Sequence, residues 1–223
     1  MPVIIRKHTL YQHCAPWLPD NPVVIEAGAY DGRDTKKLAT LWPQGCIHAF
    51  EPVPAIYALL QTNIKEQTNI ITYSYALSFR TGEAVFYLSQ KPAHPGKPFQ
   101  AGSLHKPTGR LAWSPIEYPS TTMVATITLD DWATLYHVSN IDFLWLDVQG
   151  HALAIMQASP RMMQTVKLLY LEIEFKEAYE KQPAYNDVIS WINQHGFVEI
   201  GRDFENQDRW FYGNMLFKRA EST

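Results

Sequence analysis

The sequence lacks most of the features that announce a function at a glance. Cysteine is nearly absent: Cys14 and Cys46 stand alone, which excludes a disulfide framework and reads as two reduced thiols in a cytoplasmic protein. Positive charge is not in excess either. The formal net charge is −3 and no long Lys/Arg run occurs, whereas a phosphate backbone calls for a basic stripe, so nucleic acid is not an expected partner. Long apolar runs are missing, and stretches such as residues 168–171 are far too short to cross a bilayer. The opening residues, MPVIIRKHTLYQHCAPW, do not follow the charged-then-apolar order of a secretory signal. No internal repeat and no G-x-G-x-x-G dinucleotide fingerprint is found.

What remains is an ordinary globular composition, 46% hydrophobic and 18% charged in 223 residues, enough for one core and read as a single domain over residues 1–223. Residues 1–20 read as a helical preamble interrupted at Pro16 and Pro19. Apolar strand patterns then alternate with helical ones. Strands are expected at 23–27, 46–50, 69–75, 141–148 and 166–175, and helices at 35–41 (capped by Asp34), 54–64, 152–158 and 186–195. Strands that are apolar throughout are covered on both faces, which marks a mostly parallel sheet. The expected fold is a doubly wound, Rossmann-like α/β sheet with helices on both faces, closed by an antiparallel edge hairpin from residues 197–202 and 210–218. Residues 89–121 break the pattern. Pro92, Pro95, Pro98, Pro107, Pro115 and Pro119 argue against helix or central strand there. A long irregular lid over a second substrate is expected instead.

Three strand ends carry the chemistry. VVIEAGAYDG, residues 23–32, runs from an apolar strand into Glu26 and then two glycines; IHAFEP ends on Glu51 and Pro52, and FLWLDVQG on Asp147. Gly28 and Gly32 allow a sharp turn and a close ligand approach. A carboxylate at the end of the second strand can accept two hydrogen bonds from ribose hydroxyls, the role expected of Glu51. Asp147 faces the same crevice. Singly, each is as well read as a turn glycine or a capping acid; together, in this order, they favour a nucleoside ligand. Asp31 stands where an anion would approach and repels phosphate. A cationic, phosphate-free ligand such as S-adenosylmethionine suits it better than a dinucleotide.

An ordered set of blocks extends this reading: VVIEAGAYDGRDT, HAFEPVP, YALS, AGSLHKP, TLDDW, IDFLWLDVQG, LEIEFKEAY with KQPAY, HGF and GNMLFKR. With them the chain resembles the FkbM-type methyltransferases, S-adenosylmethionine-dependent enzymes of the class I fold. The resemblance implies that Glu26, Gly28, Ala29 and Gly32, with Tyr30 and Asp31 between them, form the methionine side of the cofactor pocket. It further implies that Glu51, followed by Pro52, holds the ribose, that Ala76 and Leu77 border the adenine, and that Thr35 reaches the methionine carboxylate. The chain departs from the family where Trp145 stands in place of a common lysine, Gln149 in place of a frequent glutamate, and Ala152 in place of a glutamate. If those acids position acceptor or metal in relatives, this chain does so otherwise.

Methyl transfer to an alcohol is an in-line displacement that needs a proton acceptor. Asp147, His105 and Glu172 are the expected catalytic groups, with His151 and Glu174 as further candidates; strand alternation puts Glu172 and Glu174 on one face. Asp147 and Glu172 also form a candidate oxygen-ligand pair for a divalent metal, Mg or Mn. The acceptor is expected to be a hydroxyl of a sugar, glycan or related small molecule, laid against the flat faces of Trp113 and Tyr118. Methylation of RNA or another natural product, a nicotinamide oxidoreductase and a non-catalytic nucleotide-binding module are the competing readings. The sequence fixes no oligomeric state.

Overall fold

The structure is a computed structural model that describes residues 3–6 and 9–220; residues 1–2 and 7–8 of the expected preamble lie outside the described residues. Its larger sheet has eight strands. In spatial order they are β1 (Val3–Ile4), β11 (Phe197–Arg202), β12 (Tyr212–Arg219), β10 (Leu168–Glu174), β9 (Phe143–Leu146), β2 (Val23–Ala27), β3 (Cys46–Phe50) and β4 (Ile70–Tyr73). All neighbours pair parallel except β12, which runs antiparallel to both β10 and β11. Strand alternation divides the buried side chains between two cores. Ile25, Leu144, Leu146, Leu169 and Leu171 join Trp132 of α5 (Leu129–Leu135) on one face, while Val24, Phe143, Trp145 and Tyr170 join Leu38 of α2 (Arg33–Leu41) on the other. That two-sided burial is why these strands are apolar throughout.

From β2 the chain passes through α2 to β3 on one side, and later comes back to β9 on the other. The carboxyl ends of β2 and β9 therefore form the switch point where such sheets open a crevice. In α2 the expected cap is replaced: the helix is entered through Gly32 at φ +80° with no side-chain cap, and Asp34 pairs with Lys37.

Three expectations change. The closing β pair is antiparallel as expected, but β12 lies inside the sheet, and β1, from the segment read as helical preamble, occupies the edge beside β11. Among the described residues of that preamble only Leu10–Cys14 is α-helical, followed by a 3₁₀ turn over Ala15–Trp17. The proline-rich stretch is not an irregular loop. It contributes to a second sheet in the order β5 (Ala76–Leu77), β8 (Glu117–Ile127), β6 (Gly82–Gln90) and β7 (Pro98–Ser103), with a short helix α4 (Arg110–Trp113) between β7 and β8. Its prolines sit where no donor is missed. Pro98 starts an edge strand, Pro92 and Pro95 lie in the β6–β7 connection, and Pro119 lies beyond the reach of β5, which pairs only with Thr126 and Ile127. No helix among the described residues is long and apolar enough to cross a membrane.

Trp132 anchors the core beneath the switch point. It is fully buried, with its ring edge-on to His48, Phe50 and Tyr73 at centroid distances of 5.0, 5.3 and 5.5 Å. Trp132→Ala is expected to lower stability by about 3–5 kcal/mol in urea denaturation; a loss under about 1 kcal/mol would mean that the site readily collapses around the deletion.

Candidate active site

The strand ends meet through backbone contacts. Gly28 has φ +89°, and a Cβ there would collide with the Asp147 carbonyl oxygen, so only glycine lets the turn after β2 close on the end of β9. Gly32 is needed for packing: a Cβ would press on Leu60 and Ile64 of α3 (Pro54–Ile64). Both glycines thus make the expected sharp turns and also serve close packing within the chain, and Gly28 lines the cavity as well. Glu51, buried at the end of β3, accepts from the Tyr30 N–H at 3.1 Å and the Val53 N–H at 2.9 Å. Burial pushes its carboxyl up to about 7, against the pull of those two backbone donors.

Around these groups lies a cavity. Its wall includes Gly28, Tyr30, Glu51, Pro52, Ala76, Leu77 and Asp147. Phe86 and Leu88 of β6 and Pro98 and Phe99 of β7 close it from the second sheet, and the Tyr30 hydroxyl donates to the Pro98 carbonyl at 3.1 Å across the mouth. A second cavity of ≈ 220 Å³ adjoins it, lined by Arg110, Trp113, Gln149, Glu172 and Tyr212 among others. Asp147, Phe99 and Gln100 belong to both walls.

The acids at the junction are tied together by one amide. Gln149 Nε2 donates to Asp147 Oδ1 at 2.9 Å and to Glu172 Oε1 at 2.8 Å, and its Oε1 accepts from the Tyr179 hydroxyl at 2.7 Å. Both protons of that nitrogen are therefore used. The bridging position between the two carboxyls, where a divalent metal was expected, is taken by nitrogen. No group of three or more His, Cys, Asp or Glu side chains among the described residues is arranged to hold a metal ion, so the site does not fit that ion. Burial, then the charges of Asp147 and Glu174, push the Glu172 carboxyl well above the ordinary carboxylate range, which favours its protonated form.

Other expected site residues fall elsewhere. Glu26 and Thr35 are buried and hydrogen-bonded to each other, Thr35 Oγ1 donating to Glu26 Oε2, and neither lines the cavity. Ala29 packs with Ala49 and Leu60. The Asp31 carboxylate pairs with the Arg33 guanidinium at 2.9 Å and accepts from the Arg33 N–H. It does not face the ligand space, so the charge argument that began with Asp31 passes to Glu51 and Asp147. His105 lies outside both walls, behind His151: His151 Nδ1 meets His105 Nε2 at 2.9 Å and His151 Nε2 meets Ser78 Oγ at 3.1 Å. Burial and the neighbouring His105 hold His151 down to about 3, and with both nitrogens engaged it cannot take a proton from an acceptor. Trp113 has one face stacked on Phe211 at 4.4 Å and lines the second cavity. The Tyr118 hydroxyl is turned to the Ala101 carbonyl at 2.9 Å. Sequence reasoning missed Arg110 altogether, and it gave no bridging role to Gln149.

A cavity at the ends of β2, β3 and β9, on a parallel sheet with one inserted antiparallel strand, defines a class I S-adenosylmethionine-dependent methyltransferase fold. Solved structures of this fold are similar. An rRNA methylase from Streptococcus thermophilus aligns at a TM-score of 0.55 and 12% identity, covering 98% of this chain and 99% of that one. Methyltransferase FkbM from Methylobacillus flagellatus KT aligns at 0.55 and 13% identity over 88% of this chain, which spans only 44% of that protein. Aeropyrum pernix fibrillarin with bound S-adenosyl-L-methionine aligns at 0.51 and 12% identity, covering 90% of this chain and 68% of that one. In sequence, residues 26–199 match the methyltransferase FkbM domain, and the chain belongs to that family. A curated relative is the 2-O-methyltransferase NoeI of Sinorhizobium fredii (strain NBRC 101917 / NGR234), 27% identical over 165 residues, 74% of this chain and 68% of the relative.

Glu51 gives this cavity a pH signature. With ribose hydroxyls donating to the ionised carboxylate, as the family resemblance implies, protonation is expected to compete with cofactor binding. Because the carboxyl sits at about 7, affinity for S-adenosylhomocysteine is expected to be full above that value and to fall by up to tenfold per unit of acidification below it. Calorimetry from pH 8 to pH 6 checks this, and Glu51→Gln should bind weakly without that slope.

Proposed function

We propose that the protein is an S-adenosylmethionine-dependent O-methyltransferase whose acceptor is a hydroxyl of a sugar, glycan or related small molecule. One observation carries the reading: Asp147 belongs to the walls of both cavities, so one carboxylate stands between a cofactor space and a second substrate space. The residues present fit the cofactor. Glu51 suits a ribose diol, and Phe50, Val53 and Ile56 give apolar walls for a base. When bound, S-adenosylmethionine supplies an electrophilic methyl group on a sulfonium.

The chain's own residues then do the following. Asp147 accepts the proton of the acceptor hydroxyl as the oxygen turns nucleophilic. Gln149 fixes the rotamer of Asp147 through Oδ1, which keeps the carboxylate oriented between the two spaces. Glu172, linked to the same amide and pushed toward its protonated form by burial and by Asp147, adds less negative charge beside it than a free carboxylate would. The β6–β7 hairpin covers the cavity and excludes water, so that the acceptor hydroxyl meets no competing nucleophile. NoeI, by name a 2-O-methyltransferase, supports an oxygen acceptor.

Asp147→Asn is expected to lower turnover by about 10²–10⁴-fold while affinity for S-adenosylhomocysteine is kept. Labelled S-adenosylmethionine with a panel of glycosides reads the first quantity and calorimetry the second. Unchanged turnover would remove Asp147 as the base, and label appearing only on RNA or protein would discard the sugar acceptor.

A further inference from the structure

Arg110 is a buried cation without a hydrogen-bond partner. It is 6% exposed, and its Nε and Nη1 atoms bond to nothing. The position is firmly held: the Thr108 and Arg110 N–H groups both donate to the Ala178 carbonyl at 3.0 Å, and a Cβ at Gly109 would collide with the Glu177 carbonyl. The guanidinium carbon lies 5.1 Å from the Trp113 ring centroid and 5.7 Å from those of Tyr179 and Tyr212. Aromatic faces offset part of the cost of burying such a charge, but they accept none of its N–H protons.

A structural counter-ion role does not account for it. Glu172 and Glu174 act on Arg110 through space, yet Glu174 Oε1 is itself buried without a partner, so the two groups leave each other unsatisfied. Trp113 adds a further orphan donor, its indole Nε1–H. Arg110 and Trp113 both line the second cavity, the one that Asp147 also lines. The wall of this cavity therefore carries two acids, Asp147 and Glu172, together with two residues that hold unused donors, Arg110 and Trp113. Leaving buried donors unpaired is costly, and a planar guanidinium fork matches a carboxylate in bidentate fashion.

We propose that Arg110 anchors a carboxylate of the acceptor, making the preferred substrate an acidic sugar, a uronic-acid-type glycoside whose hydroxyl reaches Asp147 while its carboxylate meets Arg110. This rests on the methyl-transfer reading above and deepens it. The Trp113 indole N–H supplies a further donor to the same group. Arg110 is a specificity-determining residue and takes no part in bond making.

The test uses the full chain saturated with S-adenosylhomocysteine and two probes, methyl β-D-glucuronide and methyl β-D-glucoside, titrated calorimetrically. The expected result is at least tenfold tighter binding of the glucuronide. In Arg110→Gln that preference should vanish while affinity for S-adenosylhomocysteine stays unchanged, and Arg110→Lys should keep part of it. Equal affinities, no binding of either probe, or a preference that survives in Arg110→Gln would each overturn the proposal. If Arg110→Gln does not fold, the comparison of the two probes on the unaltered protein decides. Failure of the unaltered protein to bind S-adenosylhomocysteine at all would instead overturn the methyl-transfer reading, so the two failures are distinct.

Discussion

The close approach of Gly28 to the Asp147 carbonyl is the constraint from which the site follows. It brings the end of β2 against the end of β9, where the chain's two passes through the sheet part company. With a side chain at position 28 the strand ends would be pushed apart. The cavity floor would open, and Asp147 would leave the seam between the two substrate spaces. The Asp147 N–H, bonded to the Ala27 carbonyl at 3.0 Å, holds the same junction from the other direction. A backbone feature with no chemistry of its own thus decides where the reactive carboxylate stands.

Around that junction the protein separates its acids by environment. Glu51 is buried but held by two N–H donors and stays near the neutral range. Glu172 is buried among other acids and pushed well above the ordinary carboxylate range. Asp147 shares an amide with Glu172 and lines both cavities. Neighbouring carboxyls in unlike surroundings suit unlike roles, which in the proposed function are ribose binding, charge suppression and proton transfer. Gln149 is the organiser of the last two. It stands where the family often has a glutamate, and an amide there supplies the donor that a third acid would lack.

Much of this was legible in the chain. The strands that end on Glu26, Glu51 and Asp147 could be read because apolar runs and the residues that end them are local signals. Placing Glu51 and Asp147 at one crevice followed from the topology rule for parallel sheets. The second sheet was not legible, because a proline in an edge strand looks the same in sequence as one that breaks a strand. Nor was the outward turn of Asp31 to Arg33, which depends on one rotamer. Arg110 gave no signal at all: it belongs to a short helix, and its burial comes from Tyr179 and Tyr212, far along the chain.

The most direct test of the account is a crystal structure with S-adenosylhomocysteine bound. The account predicts the ribose on Glu51, the adenine against Leu77 and Val53, and the sulfur facing the second cavity past Asp147. A ligand seated elsewhere, or a sulfur turned away from Asp147, would contradict it.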